Sequence, residues 1–409
     1  MLKNISLEEA KFILLSKIKT TDIERVNLTS SLGRILARDI FAMNNVPNFS
    51  RSPLDGYAVI AEDIKFADKN NPTILKVIGE VPAGYVFKGK AEKNTAVKIM
   101  TGAPIPDGYN AIIKKEDTDE GVEYVNIYRT SLPYQNVVPV GEDIQKGKKI
   151  MEKGTKIHPG CIGILASLGM ENVEVYRKPK IGILSTGTEL VELGDELKEG
   201  QIYNSNLYSI GAIITECGGE PVYLGTVRDD IDTISKSIQS GIQSCDIILS
   251  TGGASVGDYD LIGKVYENIG ANTLFWRVKM KPGTPVLAAE KEDKILIGLS
   301  GNPGAALISF ENIVKPLIKK LQGLIDWEPT KIKGIMMDDF NKFSNQRRFL
   351  RVRVERLENT YGIYLSGKQN PGVLTSLLTC NALVDVPVNT PFLSKGQEVE
   401  AILLKEGGL

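Results

Sequence analysis

The spacing of hydrophobic and polar positions changes along the chain, and the clearest regular pattern runs from residue 180 to 325. Short apolar runs such as KIGILST (180–186) and DIILST (246–251) are typical of parallel strands that are covered on both faces. The stretch DDIDTISKSIQSGI (229–242) between them has isoleucines at helical spacing. This alternation predicts a doubly wound, mostly parallel α/β domain.

The segments on either side of this domain have the period of β-strands. Residues 73–130 contain short alternating runs broken by Pro and Gly, which predicts a β-rich insertion domain at 46–136. Residues 331–409 return to β patterning and predict a C-terminal, β-barrel-like domain. Residues 1–45 plus 137–179 are expected to form an N-terminal helix and a small mixed linker domain. The predicted fold class is therefore multidomain α/β plus β.

Local signals mark the starts of two helices. Ser6 followed by Glu9 forms a capping box, which predicts a helix extending to Ile18. Asn302 and Pro303 are the residue types preferred at the N-cap and at the first helical position, so a second helix is expected to start there. The face of the first helix predicted to be buried comprises Leu7, Phe12, Ile13, Leu15 and Ile18.

A predicted strand in the C-terminal domain carries alternating charges. The sequence RVRVERL places Arg351, Arg353 and Glu355 on one face and two valines on the other. A solvated strand face explains this pattern better than nucleic-acid binding does.

Composition narrows the functional classes. The 409 residues suffice for two to four domains of roughly 100–200 residues each. The 49 Lys and Arg and 50 Asp and Glu give a net charge of −1, which argues against nucleic-acid binding. No apolar run approaches the ~18 residues that span a membrane, and the N-terminus lacks the apolar core of a signal peptide. We expect a cytoplasmic protein without membrane contact.

Cysteine and histidine usage excludes several chemistries. The scattered Cys161, Cys217, Cys245 and Cys380 form no C-x-x-C pair and are expected to be reduced core thiols. His158 is the single histidine, which rules out a histidine-rich zinc site. Because His158 precedes Pro159 at a predicted helix start, a structural role is favoured.

The sequence I-L-S-T-G occurs twice, at 183–187 and at 248–252. If the two strands are neighbours, their glycine-rich ends border one crevice, where backbone N–H groups favour an anionic ligand. The other interpretation is that S-T-G only terminates each strand. The candidate ligand-binding residues of the two turns are Ser185, Thr186, Gly187, Thr251, Gly252, Gly253, Ser255 and Gly257.

Acidic and basic residues near these turns complete the candidate site. Glu189, Asp229, Asp230, Asp258 and Asp260 could hold a hard cation such as Mg²⁺, although Asp229 and Asp230 could equally cap a helix. Strand alternation in FWRVKMKPG predicts one face carrying Arg277, Lys279 and Lys281, which suits a polyanionic ligand or an exposed edge.

Three common sites are absent from the sequence. The G-x-S-x-G at 253–257 would make Ser255 a hydrolase nucleophile, but no histidine follows it in the chain. No G-x-x-x-x-G-K-[ST] exists, and no G-x-G-x-x-G follows the first α/β strand. The combination that remains, basic residues and carboxylates near a helix start, implies phosphate or oxyanion chemistry with a metal.

Nine stretches of the chain stand in a characteristic order: SRSPLDGYAV (50–59), GEVPAG (79–84), VKIMTGAPIPDG (97–108), GEDI (141–144), ILSTGTEL (183–190), TVRDD (226–230), STGGASVGDYD (250–260), VKMKPGTP (278–285) and LSGNPGAA (299–306). Together they resemble the molybdopterin molybdenumtransferases, the bacterial MoeA and eukaryotic gephyrin E-domain type. The similarity covers almost the whole chain, and the α/β domain resembles the molybdopterin-binding MoaB/MogA fold.

The resemblance implies a transferase that inserts molybdate into adenylylated molybdopterin, with Mg²⁺-dependent release of AMP. It implies a homodimer whose cleft is completed by the second subunit, and a molybdopterin adenylyltransferase as a candidate partner. Two positions depart from the common pattern: Arg277 stands where lysine is frequent, and Ser300 stands where proline is frequent. The sequence does not distinguish molybdate from tungstate. The alternatives are a molybdopterin adenylyltransferase and a non-catalytic pterin-binding scaffold.

The implied roles fall on specific residues of this chain. The metal ligands would be Glu189, Asp229 and Asp260. The catalytic positions would be Asp55, Thr101, Asp143, Glu189, Asp229, Asp260, Arg277 and Lys281. Lys279, Pro282, Gly301, Asn302 and Pro303 would join the two S-T-G turns in binding the pterin nucleotide.

Overall fold

The computed structural model describes residues 1–253, 261–325, 327–343 and 345–404. Its strands are β1 (Leu2–Ile5), β2 (Ile23–Asn27), β3 (Ile40–Phe41), β4 (Gly56–Val59), β5 (Thr73–Val81), β6 (Thr95–Ile99), β7 (Ala111–Lys114), β8 (Tyr124–Ile127), β9 (Lys149–Met151), β10 (Asn172–Tyr176), β11 (Lys180–Thr186), β12 (Leu190–Val191), β13 (Ile202–Tyr203), β14 (Glu220–Val227), β15 (Ile247–Thr251), β16 (Asn272–Val278), β17 (Met280–Lys281), β18 (Leu287–Lys291), β19 (Lys294–Leu299), β20 (Lys331–Met336), β21 (Arg347–Arg356), β22 (Tyr361–Leu365), β23 (Ala382–Val386) and β24 (Glu398–Leu403).

The α-helices within the same residues lie mostly in the α/β region. They are α1 (Leu7–Lys17), α2 (Pro159–Ser167), α3 (Ser205–Glu216), α4 (Ile231–Ile242), α5 (Leu261–Asn268), α6 (Pro303–Ser309) and α7 (Lys315–Leu321). A π-helical turn, Phe310–Val314, joins α6 to α7. None of these helices combines the length and apolar character needed to cross a bilayer.

A seven-stranded sheet forms the centre of the molecule, with the order β1-β16-β18-β19-β15-β11-β14. Strands β14, β11, β15 and β19 are mutually parallel, and β18 is antiparallel to both of its neighbours. One face packs on α1, α3, α6 and α7, and the other packs on α4 and α5. This arrangement confirms the predicted doubly wound, mostly parallel fold. The two I-L-S-T-G strands, β11 and β15, are neighbours as the crevice hypothesis required.

The N-terminal segment belongs to this sheet. Strand β1 pairs in parallel with β16, and α1 packs beside α7, although the sequence grouped these residues with 137–179. The capping box is present: the Glu9 N–H donates to Ser6 Oγ at 3.1 Å, and Glu9 Oε2 accepts from the Ser6 N–H at 2.7 Å. The predicted buried face is wrong at Phe12, which is 74% exposed, because the core contacts fall on Ala10 and Leu14 instead.

Two smaller units lie between α1 and β11. Strands β7-β4-β6-β5-β8 form a five-stranded mixed sheet within the predicted insertion domain. The ribbons β2-β10 and β3-β9 pack with α2 around a separate core. His158 is the N-cap of α2, where its Nδ1 accepts from the Gly160 N–H at 3.1 Å. The exact domain boundaries remain predictions.

The C-terminal strands close into a five-stranded barrel, in the order β21-β22-β20-β24-β23 and back to β21. Strand β17 pairs with β21 and so connects the α/β region to the barrel. The expectation that Arg351 lies on a solvated face is wrong, because the side chain is fully buried. It packs against α6, where a Cβ added to Gly304 would lie 2.0 Å from Arg351 Nη1.

Candidate active site

A cavity of about 1210 Å³ opens at the carboxyl ends of β11, β15 and β19. Parallel strands end at the same edge of a sheet, so the loops that follow them converge there. The loops that enter β17 and α6 form further parts of the wall. The predicted residues that line the cavity are Thr186, Gly187, Glu189, Asp229, Gly252, Gly253, Lys281, Pro282, Gly301, Asn302 and Pro303.

Two of the predicted strand-end residues lie beneath the cavity. Ser185 and Thr251 are buried, and their hydroxyl oxygens are 3.1 Å apart across the β11–β15 pair. Ser185 Oγ also donates to Asn204 Oδ1 at 3.1 Å, and the Asn204 amide donates to Thr226 Oγ1 at 2.8 Å. These contacts connect three strand ends and the start of α3. Ser185 and Thr251 therefore brace the site instead of facing its interior.

The second S-T-G turn packs tightly against the end of β11. Gly252 has φ +90°, and a Cβ added there would lie 2.0 Å from the Thr186 carbonyl oxygen. Gly253 has φ +63°, and its added Cβ would meet Thr186 Oγ1 at 3.0 Å. Thr186 Oγ1 is buried and has no hydrogen-bond partner among the described residues. Glycine is therefore needed at both positions to bring the two turns together.

The two neighbouring aspartates of TVRDD have separate positions. Asp229 lines the cavity, whereas Asp230 is the N-cap of α4 and accepts from the Thr233 N–H at 2.8 Å. The Thr233 hydroxyl, and then its N–H, hold the pKa of Asp230 below its usual value. Of the two functions that the sequence left open, capping belongs to Asp230, and Asp229 is left to face the cavity.

The carboxylates available for a metal within the described residues are Glu189 and Asp229, which line the same cavity. The described part of the chain contains no cluster of three His, Cys, Asp or Glu side chains. The predicted metal ligand Asp260 lies outside the described residues, as do Ser255, Gly257 and Asp258. Two carboxylates are compatible with Mg²⁺, which commonly takes one or two of them together with phosphate oxygens and waters.

The three basic residues of FWRVKMKPG do not share one strand face, so that prediction is wrong. Strand β16 ends at Val278, and β17 joins a different sheet. Arg277 has φ +66°, which interrupts the alternation, and its guanidinium stacks 4.2 Å from the centre of the Trp276 ring. Lys281 lines the cavity, whereas Arg277 and Lys279 do not appear in its wall. The Lys279 N–H donates to Ile5 O of β1 at 2.8 Å.

The C-terminal barrel supplies a wall that the sequence analysis missed, formed by Pro371, Gly372 and Leu374. The Gly304 N–H, at the start of α6, donates to Pro371 O at 2.8 Å. Buried Arg351 holds the preceding loop, since its Nη2 donates to Lys368 O at 3.0 Å and to Asn370 O at 2.9 Å. The barrel forms this wall only because it packs against α6, and no local sequence pattern indicates that packing.

Other lining residues were also missed because they follow the predicted motifs or come from a short ribbon. These are Ile202, Tyr203, Ser205, Leu261, Gly283, Thr284, Pro285, Ser300 and Ala305. The exposed Tyr203 is the aromatic member of this set. An aromatic residue directly before the Asn204 cap of α3 is the signal that could have identified it.

Asp55, Thr101 and Asp143 lie apart from the cavity wall. Asp55 Oδ1 accepts from the Thr101 N–H at 2.7 Å and from the Thr101 hydroxyl at 2.8 Å. Both hydrogen bonds hold the pKa of Asp55 below its usual value, and the bond from the Thr101 N–H contributes more than the bond from its hydroxyl. Asp143 is exposed on a neighbouring loop, where its N–H donates to Val46 O at 3.1 Å. Asp55 and Thr101 are therefore in direct contact, and none of the three residues lines the cavity of its own chain.

Comparison with known proteins covers almost the entire chain. Residues 5–169 match the MoeA N-terminal region (domain I and II), 182–320 match a probable molybdopterin binding domain, and 333–404 match the MoeA C-terminal region (domain IV). A Bacillus subtilis protein named molybdopterin molybdenumtransferase is 38% identical over 394 residues, which span 95% of this chain and 91% of that protein. The chain belongs to the MoeA family.

Further members of the MoeA family agree with this assignment. A Staphylococcus epidermidis molybdopterin molybdenumtransferase is 36% identical over 98% of this chain and 95% of its own length. The crystal structure of a molybdopterin biosynthesis MoeA protein from Pyrococcus horikoshii superposes with a TM-score of 0.88 at 34% identity, covering 98% of this chain and 99% of that one. The resemblance and the multidomain fold inferred from the sequence are confirmed.

One departure from the common MoeA pattern has a local structural explanation. Ser300 is buried, and its hydroxyl oxygen accepts from the Asn302 N–H at 3.3 Å. This bond holds the turn that leads into α6, a function for which a rigid proline is the usual alternative. The side chain of Asn302 makes no capping bond to α6, so its amide is available to the cavity that it lines.

Proposed function

We propose that this protein inserts molybdate, or the closely similar tungstate, into adenylylated molybdopterin and releases AMP in a Mg²⁺-dependent reaction. The observation that carries this proposal is a cavity at the sheet edge that combines glycine turns, two carboxylates and Lys281. Relatives that cover nearly the whole chain are named molybdopterin molybdenumtransferases. The proposed role is in molybdenum cofactor biosynthesis, in the cytoplasm.

The size and lining of the cavity suit a large anionic ligand. Its volume of about 1210 Å³ exceeds the roughly 300–1,000 Å³ of sites for drug-sized molecules. An adenylylated pterin needs this additional space. Backbone N–H groups of the glycine turns and the positive charge of Lys281 are suited to its phosphates, because oriented donors stabilise negative charge without rearranging.

Glu189 and Asp229 are the residues that would hold Mg²⁺. Bound Mg²⁺ would neutralise pyrophosphate charge and polarise the bond that releases AMP. The neighbouring Asp230 is committed to capping α4, which fixes the backbone directly after Asp229. Glu189 folds back over Gly187, where an added Cβ would lie 2.7 Å from Glu189 Oε2. Gly187 therefore leaves space for this carboxylate.

The positions of Asp55, Thr101 and Asp143 support a homodimeric enzyme. None of them lines the cavity of its own chain, yet the family resemblance assigns catalytic roles to all three. A two-fold arrangement would let these residues of one subunit complete the cavity of the other. Arg277, to which the resemblance also assigns a catalytic role, would provide a further cation whose position is fixed by its stacking on Trp276.

The two alternatives explain less of the chain. An adenylyltransferase resembling residues 180–322 would need neither the N-terminal nor the C-terminal region, yet both match the MoeA family. A non-catalytic scaffold would not require carboxylates and Lys281 in one cavity. A molybdopterin adenylyltransferase remains the proposed partner, because it would supply the adenylylated substrate.

The test is incubation of the full chain with adenylylated molybdopterin, Mg²⁺ and molybdate, followed by measurement of released AMP and of metal in the pterin product. Release that requires both Mg²⁺ and molybdate is expected. Absence of AMP release with intact substrate would contradict the transferase proposal. Repeating the reaction with tungstate, and with an equal mixture of the two oxyanions, shows which metal enters the product.

A further inference from the structure

Among the described residues that line the sheet-edge cavity, Tyr203 is the aromatic one, and it is 42% exposed. The apolar part of the same wall consists of aliphatic side chains and prolines, such as Ile202 and Pro282. Its charged part, with Glu189 and Lys281, suits phosphates and a metal. A ligand that carries a planar ring therefore meets one aromatic surface in the described part of this wall.

The backbone on both sides of Tyr203 is hydrogen-bonded to a neighbouring strand. Tyr203 lies in β13, directly opposite Val191 of β12. The Ile202 N–H donates to Glu189 O at 2.9 Å, and the Asn204 N–H donates to Val191 O at 3.2 Å. Tyr203 is thereby attached to the segment that carries Glu189, one of the two carboxylates proposed to hold Mg²⁺. Its ring belongs to the same side of the cavity as that carboxylate.

Further hydrogen bonds limit the freedom of the Tyr203 side chain. The following residue, Asn204, is buried; its Oδ1 accepts from Ser185 Oγ at 3.1 Å and its amide donates to Thr226 Oγ1 at 2.8 Å. The Tyr203 hydroxyl donates to Asp195 O at 3.0 Å. Because the backbone and the hydroxyl are both held, little conformational entropy is lost when a ligand packs against the ring.

An exposed ring that is held in this way has the properties of a stacking surface. Aromatic side chains pack face to face, with an offset, against flat heterocycles, and every nucleobase has a face that can take part. The substrate of the proposed function contains two such heterocycles, adenine and pterin, which are joined through the pyrophosphate. Either ring could lie on Tyr203 while the phosphates face the carboxylates and Lys281.

We propose that Tyr203 is the stacking residue of the cavity and that its ring packs against a planar nitrogen heterocycle of the substrate. The inference rests on the proposed function for its substrate class. Adenine and pterin share the relevant chemistry, since both are flat, fused, nitrogen-containing rings. Tyr203 then contributes to specificity, because a phosphate ligand without a flat ring lacks this contact.

Proton NMR and calorimetric titrations of the full chain test this proposal, with AMP in one arm and pterin-6-carboxylate in the other. Ring protons of the heterocycle that stacks on Tyr203 should shift upfield, because they lie in the ring current of the tyrosine. The arm that shows this shift identifies the stacked ring. Tyr203→Leu should abolish the shift and weaken binding of that compound about tenfold, as expected for the loss of one stacking contact. Tyr203→Phe keeps the ring and should retain both the shift and the affinity.

Tyr208→Leu is the matched control. Tyr208 lies on α3, is 39% exposed, and donates its hydroxyl to Glu192 Oε2 at 3.1 Å, yet it does not line the cavity. This variant should bind AMP and pterin-6-carboxylate as the wild type does. Ribose 5-phosphate, which has the phosphate of AMP without its base, should bind equally to the wild type and to Tyr203→Leu.

Three outcomes would overturn the proposal. Tyr203→Leu could bind both compounds as tightly as the wild type, Tyr203→Phe could lose as much affinity as Tyr203→Leu, or the wild type could bind neither compound. Because neither compound undergoes the reaction, these outcomes are independent of turnover. An upfield shift that depends on Tyr203, together with absence of AMP release from the adenylylated substrate, would reject the transferase and retain the stacking site.

Discussion

The residues at the sheet edge and those near the insertion sheet differ in how they are assembled. Thr186, Gly252 and Asp229 lie at or just after the ends of neighbouring strands and line one cavity of a single chain. Asp55 and Thr101 lie beside a different sheet and are hydrogen-bonded to each other. Neither side chain lines that cavity. Parallel topology alone assembles the first group. The second requires an arrangement of domains, and we propose a second subunit.

The strongest test of the sheet-edge group is Asp229→Asn. Removing one of two cavity carboxylates should reduce AMP release at least about 100-fold, because charge stabilisation in the transition state is lost. Initial rates over a Mg²⁺ titration provide the measurement. The control is Asp230→Asn, in which the neighbouring carboxylate is lost but the amide oxygen can still cap α4. Comparable rates in Asp229→Asn and the wild type would remove Asp229 from the proposed metal site.

Mixing two inactive variants tests whether the insertion-sheet group acts across subunits. Asp55→Asn and Asp229→Asn, each inactive alone, should regain about a quarter of wild-type activity after subunit exchange, since half of the dimers would be mixed and each would contain one intact site. AMP release after co-refolding measures this. Analytical ultracentrifugation confirms that dimers formed. Recovery would be absent if both residues acted within one chain.

The fit between the two S-T-G turns can be tested with glycine substitutions. Gly252→Ala should lower the free energy of unfolding by about 3 kcal/mol, because it combines a left-handed backbone with a Cβ against the Thr186 carbonyl. Gly147→Ala has a similar φ, +85°, but open space around its added Cβ, and should cost about 1 kcal/mol. Urea denaturation of both variants measures the difference. If both variants lost the same free energy of unfolding, the left-handed backbone alone, and not the contact with Thr186, would explain the need for glycine at position 252.

The smallest expected effect concerns the pKa of Asp55, which Thr101 lowers. A carboxyl group with a lowered folded pKa stabilises the fold above its unfolded pKa, and this contribution disappears as the pH falls through the folded pKa. Thr101→Val removes the hydroxyl donor and keeps the larger amide contribution, so the pKa of Asp55 should rise part of the way. Carboxyl-carbon NMR titration of wild type and variant measures this. An unchanged pKa would show that the hydroxyl bond contributes nothing in solution.

Much of the fold could be predicted from the sequence because each local pattern corresponds to one physical requirement. The apolar strands, the Ser6 capping box and the Asn302–Pro303 helix start all appear as expected. The two I-L-S-T-G strands are neighbours, which is consistent with the doubly wound sheet that the strand and helix alternation predicted. The glycine turns and Asp229 therefore reach one cavity, as the motif positions indicated.

The errors arise where tertiary packing overrides local alternation. Arg351 occupies a strand position that alternation assigns to solvent, yet the barrel docks on α6 at that point and buries it. Arg277 has a left-handed backbone, so strand periodicity does not apply through it. Phe12 has the hydrophobicity of a core residue but faces away from the sheet. The part of the cavity wall that contains Pro371 could not be predicted, because hydrophobic periodicity does not show how distant segments of the chain pack together.

The pairing of β1 with β16 has a practical consequence for shortened versions of the chain. Residues 2–5 occupy the outermost position of the central sheet, and Ile5 contributes to its core. Deleting them would leave the hydrogen-bonding groups of β16 unpaired at an open edge, and open edges promote association between molecules. A chain starting at residue 6 should therefore precipitate more readily during purification, even though the deletion removes no residue of the cavity.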